Sequence, residues 1–490
     1  CNEVKTRKLL ADCKAANYNF IRVWGGGYYP DEYFYDYCDE NGIIVWQDFM
    51  FACSAYLLTE EFEETVRGEV RDNVIRLRNH PSLGLWCGNN EIESAWEYWG
   101  LPEDEEAKRD YLIIFEDIIP QVLKAYDPCE NTFYWPSSPS SGGGFKDASS
   151  NHAGDMHYWD VWHNFKPIEA FREFYYRFCS EYGFESLPDI KTCRAFADET
   201  KGDFDLCSPV MAAHQKCVQG NEKIMYYLAQ MVRYPYDFKQ LIYSSQLVQA
   251  DCIRSNVEHM RRARGRCMGS AYWQVNDSNP VISWSSIDYF GRWKGLHYYA
   301  KRFYAPCLIS CDDTHRKKPV LNISNERMTA FEGIVRWKLR NNKAEILQSG
   351  EKSVNVPALT AQNVLTIDLS DELKNRTDPR EKYLEYSIME NGKVLSFGTT
   401  LFVRPKEFTF LEPAITYGIS ESEDKFALTF CAENYAKSVC LSLKTADCVF
   451  SDNWFDIHGK EPVTIMIDKA SLSRKMTAQE LSEELEIMHN

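Results

Sequence analysis

Hydrophobic positions along the chain follow two regimes that meet near Pro306. Before it, short apolar runs alternate with stretches of helical period. The runs are NFIRVW (19–24), GIIVWQD (42–48), LGLWCGNNE (83–91), NTFYWPS (131–137), DMHYWDVW (155–162), FCSEYG (178–183) and CMGSAYWQ (267–274). Runs this short, bounded by polar or turn residues, read as buried parallel strands. Between them, Phe62, Val66, Val70, Val74 and Leu77 line one face of a helix. Phe238, Leu241, Ile242, Val248, Cys252, Ile253, Val257 and Met260 line another. Ser208 followed by Pro209 has the form of an N-cap with proline in the first turn. Strand–helix alternation of this length predicts a parallel sheet or an α/β barrel over residues 1–306.

After Pro306 the period becomes two. KPVLNIS, GIVRWKLR, AEILQSG, VLTIDLS, YLEYSIM and VLSFGTTLFVRP are short strands separated by turn residues, which predicts an antiparallel sandwich over 307–407. AITYGIS, KFALTFCAEN, SVCLSLKT and PVTIMID predict a second, smaller one over 408–490. The terminal KMTAQELSEELEIMHN reads as a polar, helix-prone tail.

Composition narrows the function classes. Hydrophobic residues make up 44% of 490, enough for real cores in several domains. The formal net charge of −17 argues against a nucleic-acid partner. The one basic cluster, RRARGR (261–266), falls at a predicted helix end and reads as a solvated terminus that suits the helix dipole. No apolar run reaches membrane-spanning length, so no membrane partner is expected. The 17 cysteines show no CxxC spacing, with Cys307 and Cys311 an isolated CxxxC. That usage predicts free thiols, no zinc site and a reducing, cytoplasmic setting. A lysosomal or secreted location stays open, because the chain starts inside an amphipathic helix and Cys1 does not resemble a natural start.

Two predicted strands end in glutamate: Glu91 after Gly-Asn-Asn, and Glu181 in SEYG. Paired carboxylates at one face suit glycoside hydrolysis, in which one donates a proton and the other is an ionised nucleophile or base. Plain structural roles stay open at this point, a cap on the next helix for Glu91 and a salt bridge for Glu181. His152 and His157 lie close together, and read as satisfied polar groups rather than metal ligands.

IRVWGGGYYPDEYFYDYCDENGIIVWQDFMFAC, LWCGNNE, SEYGFES, AYWQVNDSNPVISWSSIDYFGRWKGLHYYAKRFYAP and FSDNWFDI, in this order, closely resemble β-mannosidases of glycoside hydrolase family 2, and the resemblance runs over almost the whole chain. It implies a (β/α)8 TIM barrel followed by two immunoglobulin-like β-sandwich domains. It implies an exo-acting, retaining enzyme that releases terminal β-D-mannose from a β-mannoside or manno-oligosaccharide, without cofactor or metal. Glu91 would be the acid/base and Glu181 the nucleophile, about 5 Å apart. Asn90, Asp48, Trp24, Trp99, Tyr158 and Trp273 would contact sugar, with Tyr158 also a candidate donor to the nucleophile. Arg22 would bond Glu181 and hold it ionised, which predicts a depressed pKa for Glu181 and a raised one for Glu91. The GGG at 25–27 would let the backbone pass close to the pocket. A family 2 β-galactosidase or β-glucuronidase is the alternative, and those usually carry a histidine motif where this chain has VWGGG. A non-catalytic sugar-binding protein or inactive fragment is the alternative from another class.

Departures from the pattern are Glu185 in place of a frequent glutamine, and Ser278-Asn279 in place of a common Cys-Trp. The family's two N-terminal β domains and first barrel strand have no counterpart here. These 490 residues alone are therefore expected to be a weak enzyme with exposed strand edges. Oligomeric state and aglycone are not legible from the residues.

Overall fold

The structure is a computed structural model describing residues 2–100, 104–129 and 132–490. Asn131, the first residue of one predicted strand, lies outside the described residues. The chain forms two compact units: Cys1–Lys166 with Arg172–Tyr182 and Gly265–Tyr272, and Pro167–Phe171 with Gly183–Arg264 and Trp273–Asn490.

The first unit alternates as its periods require. Its elements are α1 (Glu3–Ala15), β1 (Phe20–Val23), α2 (Glu32–Asn41), β2 (Ile44–Asp48), α3 (Glu60–Leu77), β3 (Leu83–Cys87) and α4 (Ile92–Tyr98). They are followed by α5 (Glu105–Leu112), α6 (Ile119–Tyr126), β4 (Tyr134–Trp135), β5 (Met156–His157), α7 (Asp160–His163) and β6 (Cys179–Glu181). Strands β1 to β4 form a parallel sheet in chain order, and β5 pairs with β6 in parallel. Thr59 caps α3 through its hydroxyl, and the predicted stripe Val66, Val70, Val74 and Leu77 is buried. That stripe joins Val45, Phe49 and Trp86 of the sheet side in one core.

Several predicted strands shrink. NTFYWPS keeps two residues in a ladder, and CMGSAYWQ makes only isolated parallel bridges, Cys179↔Ser270 in the first unit and Gly183↔Trp273 in the second. Its glycine and serine supply little side chain to hold a pleated surface.

In the second unit the predicted long helix is Phe238–Arg262, capped by Asp237, and Ser208 caps Pro209–Ala213 as expected. Arg261 corrects the reading of a solvated basic end. Its Nη1 donates to the carbonyls of Phe303 and Ala305 at 2.6 and 2.8 Å, orphan acceptors at the end of helix Gly295–Phe303. Beyond Pro306, a four-stranded antiparallel sheet (Ile346–Val356, Phe331–Asn341, Lys382–Glu390, Lys393–Leu401) and a three-stranded one (Thr360–Thr366, Val320–Asn325, Cys307–Asp312) share a core. Two three-stranded sheets follow. The tail is not simply helical. Ala478–Glu484 is a helix with a Thr477–Glu480 capping box, but Leu485–Met488 pairs antiparallel with Tyr435–Leu443 and buries Leu485.

No helix among the described residues is long and apolar enough to cross a membrane, and the cysteines among them are free thiols. Helix α3 gives a paired test of the packing. Val74→Ala, at a fully buried position, should cost about 2 kcal/mol of stability. Gly68→Ala, where an added Cβ meets nothing within 4 Å, should gain about 0.5–1 kcal/mol. Urea denaturation of both variants reads the signs directly, and equal shifts would contradict the assigned faces.

Candidate active site

Parallel strands in the first unit bring their C-terminal ends to one edge. Strand β1 carries Arg22, β2 ends at Asp48, the turn after β3 carries Asn89 to Glu91, β5 carries His157 and β6 ends at Glu181. The Arg22 guanidinium lies among them. It donates to Asp48 through Nη2 at 2.8 Å and Nε at 3.2 Å, to Asn90 Oδ1 at 2.8 Å and to Glu181 Oε2 at 3.2 Å. Both Asp48 oxygens are further held, by Trp46 Nε1 at 2.8 Å and the Gly25 amide at 3.0 Å. Asp48 is fully buried, so the structure makes it the anchor of Arg22 and of the Gly25 turn rather than an open sugar ligand.

Glu91 sits at the N-cap of α4, yet its side chain makes no capping bond. Asn89 takes that role, its Oδ1 accepting from the Ile92 amide at 3.1 Å. The backbone of Glu91 is left-handed, with φ 63°, an uncommon state for this residue. It leaves the carboxyl free for the pocket. Oε1 lies 2.7 Å from His157 Nδ1, and Oε2 lies 3.7 Å from the Cys53 thiol, which donates to it. Glu181 accepts from Arg22 on Oε2 and from Trp159 Nε1 on Oε1, at 3.2 Å each. An oxygen of Glu91, an oxygen of Glu181 and a nitrogen of His157 all lie within 4.8 Å of one another.

The ionisation of the pair corrects the expectation. Burial pushes Glu181 up to about 7, with the charge of Glu91 adding to it, and Arg22 and His157 only partly offset this. Burial also raises Glu91, but the His157 hydrogen bond and charge outweigh it and hold Glu91 below the usual carboxylate value. Burial lowers His157, while the charge of Glu181 and the bond to Glu91 outweigh it and the net direction is up. The directions are therefore the reverse of the expected order, a raised Glu91 and a depressed Glu181.

Other predicted positions sort as follows. Asn90 is buried, its Oδ1 on Arg22 and its Nδ2 donating to Cys53 Sγ at 3.4 Å. Trp24 is half-buried after β1, and Trp99 is exposed at the end of α4. Trp273 belongs to the second unit. Tyr158 is buried and its ring packs on Phe174 and Tyr176. Its neighbour Trp159 donates to Glu181 through Nε1. Trp159 lies just past β5, where the chain turns into α7. In the second unit, burial pushes Glu185 up to about 8, and Gln215 Nε2 donates to it at 2.7 Å.

Glu91, His157 and Glu181 offer atoms that a metal could use, as do Asp36, Asp39 and His80. At the first group Arg22 already supplies a fixed cation 3.2 Å from Glu181, so no metal is assigned there.

Residues 318–407 match the family described as Mannosidase Ig/CBM-like domain, and residues 410–490 an Ig-fold domain of mannosidases. Beta-mannosidase B of Neosartorya fischeri is 38% identical over 470 residues, covering 89% of this chain and 54% of that protein. Beta-mannosidase of Capra hircus is 35% identical over 326 residues, covering 62% of this chain and 36% of that protein. The crystal structure of Beta-D-Mannosidase from Dictyoglomus thermophilum superposes with a TM-score of 0.90 at 30% identity, over 100% of this chain and 58% of that one.

The chain is similar to β-mannosidases along most of its own length. It spans about half the length of the fungal relatives it matches, 54% of the protein from Aspergillus clavatus. An exo-chitosanase from Amycolatopsis orientalis shares the fold at 15% identity and a TM-score of 0.73.

The Gly25 turn supplies a test of the anchored edge. A Cβ there would stand 2.4 Å from the Phe51 carbonyl oxygen and 2.8 Å from that of Phe49, both backbone atoms. Gly25→Ala should lower unfolding free energy by about 2–3 kcal/mol. Urea denaturation checks it, and a variant as stable as the parent would contradict the close approach.

Proposed function

We propose that this chain carries the catalytic machinery of an exo-acting, retaining β-mannosidase that releases terminal non-reducing β-D-mannose from β-mannosides. The observation that carries the reading is the spacing of the carboxylates, with nearest oxygens within 4.8 Å. Retaining enzymes hold their carboxyl groups about 5–5.5 Å apart, and inverting ones leave room for a water between them. The homology to β-mannosidases supplies the substrate class. Strands β1 to β6 then form part of a (β/α)8 barrel, the architecture in which strand C-termini carry catalytic groups.

In this reading Glu181 attacks the anomeric carbon and Glu91 protonates the departing oxygen. Glu91 then takes a proton from the water that releases mannose. Arg22 and Trp159 both donate to Glu181 and favour its ionised form, the state a nucleophile needs. Asn90, fixed by Arg22, stands next to the acid, where its amide can meet a sugar hydroxyl.

The test uses the full-length protein and a panel of aryl β-glycosides. kcat/KM on the β-mannoside should exceed that on the β-galactoside and β-glucuronide by at least about 10²-fold. The opposite preference would favour the alternative substrates. Glu181→Ala should abolish turnover on every substrate. Glu91→Ala should spare the first step for activated aryl leaving groups and be rescued by azide. Equal losses on activated and unactivated substrates would mean that the two roles are reversed.

A further inference from the structure

His157 faces both carboxylates with a single nitrogen. Nδ1 lies 2.7 Å from Glu91 Oε1 and 3.8 Å from Glu181 Oε2. Behind the ring, Nε2 lies 3.0 Å from Ser138 Oγ, and Ser138 donates to Asp155 Oδ2 at 2.7 Å. Asp155 is held in turn by Ser180 Oγ at 2.5 Å, Trp135 Nε1 at 2.8 Å and the Ser140 amide at 3.0 Å. His157, Ser138, Asp155 and Ser180 are all buried. This chain holds the ring in one orientation and accepts an Nε2–H whether the imidazole is charged or neutral. Exchange of a proton is thereby confined to Nδ1, on the side of the two glutamates.

We propose that His157 is a positioning residue that holds the proton which Glu91 delivers, with Ser138 and Asp155 fixing the ring for that task. The inference rests on the retaining mechanism proposed above. In the resting site the proton is on Nδ1 and Glu91 is ionised. On substrate binding it crosses to Glu91, leaving a neutral imidazole with its Nε2–H on Ser138. Glu91 passes the proton to the departing oxygen as the glycosidic bond breaks. The water that then attacks the glycosyl-enzyme gives one proton back to Glu91, from which it returns to Nδ1, so each turnover takes up and releases one proton.

The charged and titratable groups around the ring are consistent with this traffic. Glu91 and Glu181 face Nδ1, and both favour the imidazolium. Arg22 opposes it from β1, with Asp48 compensating behind. Asp155 stands behind Ser138, and the Cys53 thiol lies on the far oxygen of Glu91.

His157→Asn in the full-length protein tests the proposal, because an amide can still donate to Glu91 but cannot store a proton. With a dinitrophenyl β-mannoside, kcat/KM should fall at least about 10-fold less than with an unactivated one. With an unactivated mannoside it should fall about 10²-fold. The alkaline limb of the pH profile should move to lower pH by about one unit, since Glu91 alone then holds the proton. Ser138→Ala, which removes only the support at Nε2, should shift the same limb the same way by less, and serves if the first variant does not fold. An unmoved alkaline limb, or equal losses on both substrates, would overturn the inference while leaving the mannosidase reading intact. A parent protein inactive on both mannosides would overturn the mannosidase reading and this one with it.

Discussion

One buried guanidinium organises this site. Arg22 touches side chains delivered by separate segments: Asp48 from β2, Asn90 from the turn after β3, and Glu181 from β6. Two anions and one amide oxygen converge on it at side-chain exposures of 8% or less for the charged groups. Charges this deep are tolerated only when each has a partner and a full set of hydrogen bonds. Asp48 meets that condition with donors from Arg22, Trp46 and Gly25, and so locks the guanidinium in place. Parallel pairing of the strands is what brings these ends together, so fold and charge balance constrain the same few atoms.

The same balance explains why the ionisation order differs from a simple acid/nucleophile picture. Arg22 is shared, because Asp48 takes its shortest carboxylate contact, and Glu181 receives a longer one in a fully buried setting. Glu91 is the carboxyl with the short bond to His157. Desolvation then prevails at Glu181, and the imidazole prevails at Glu91. The two carboxyls are thus held apart in acidity, and His157 faces both of them.

Much of this was legible in the residues. The spacing of Val66, Val70, Val74 and Leu77 marked a helix with one buried face, and the strand runs ending in Glu91 and Glu181 marked a shared edge. The resemblance to family 2 β-mannosidases named Arg22, Asn90 and both glutamates, and the structure brings all four together. What escaped had physical reasons. His157 was set aside because nothing in the chain order shows that Ser138 and Asp155 would close behind it. CMGSAYWQ was taken for a full strand on its aromatic end, although its Gly-Ser centre supports bridges alone. Arg261 was taken for solvated because the carbonyls that bind it come from a distant helix end.

The central claim is that two glutamates act in succession on the same carbon, one as nucleophile and one as acid and then base. The most direct measurement is the anomeric configuration of the first-formed sugar, followed by proton NMR as an aryl β-mannoside is hydrolysed by the full-length protein. The account predicts that β-mannose appears first and mutarotates later toward the α-anomer. Initial release of α-mannose would contradict it, because a single displacement by water would then replace the covalent intermediate on Glu181.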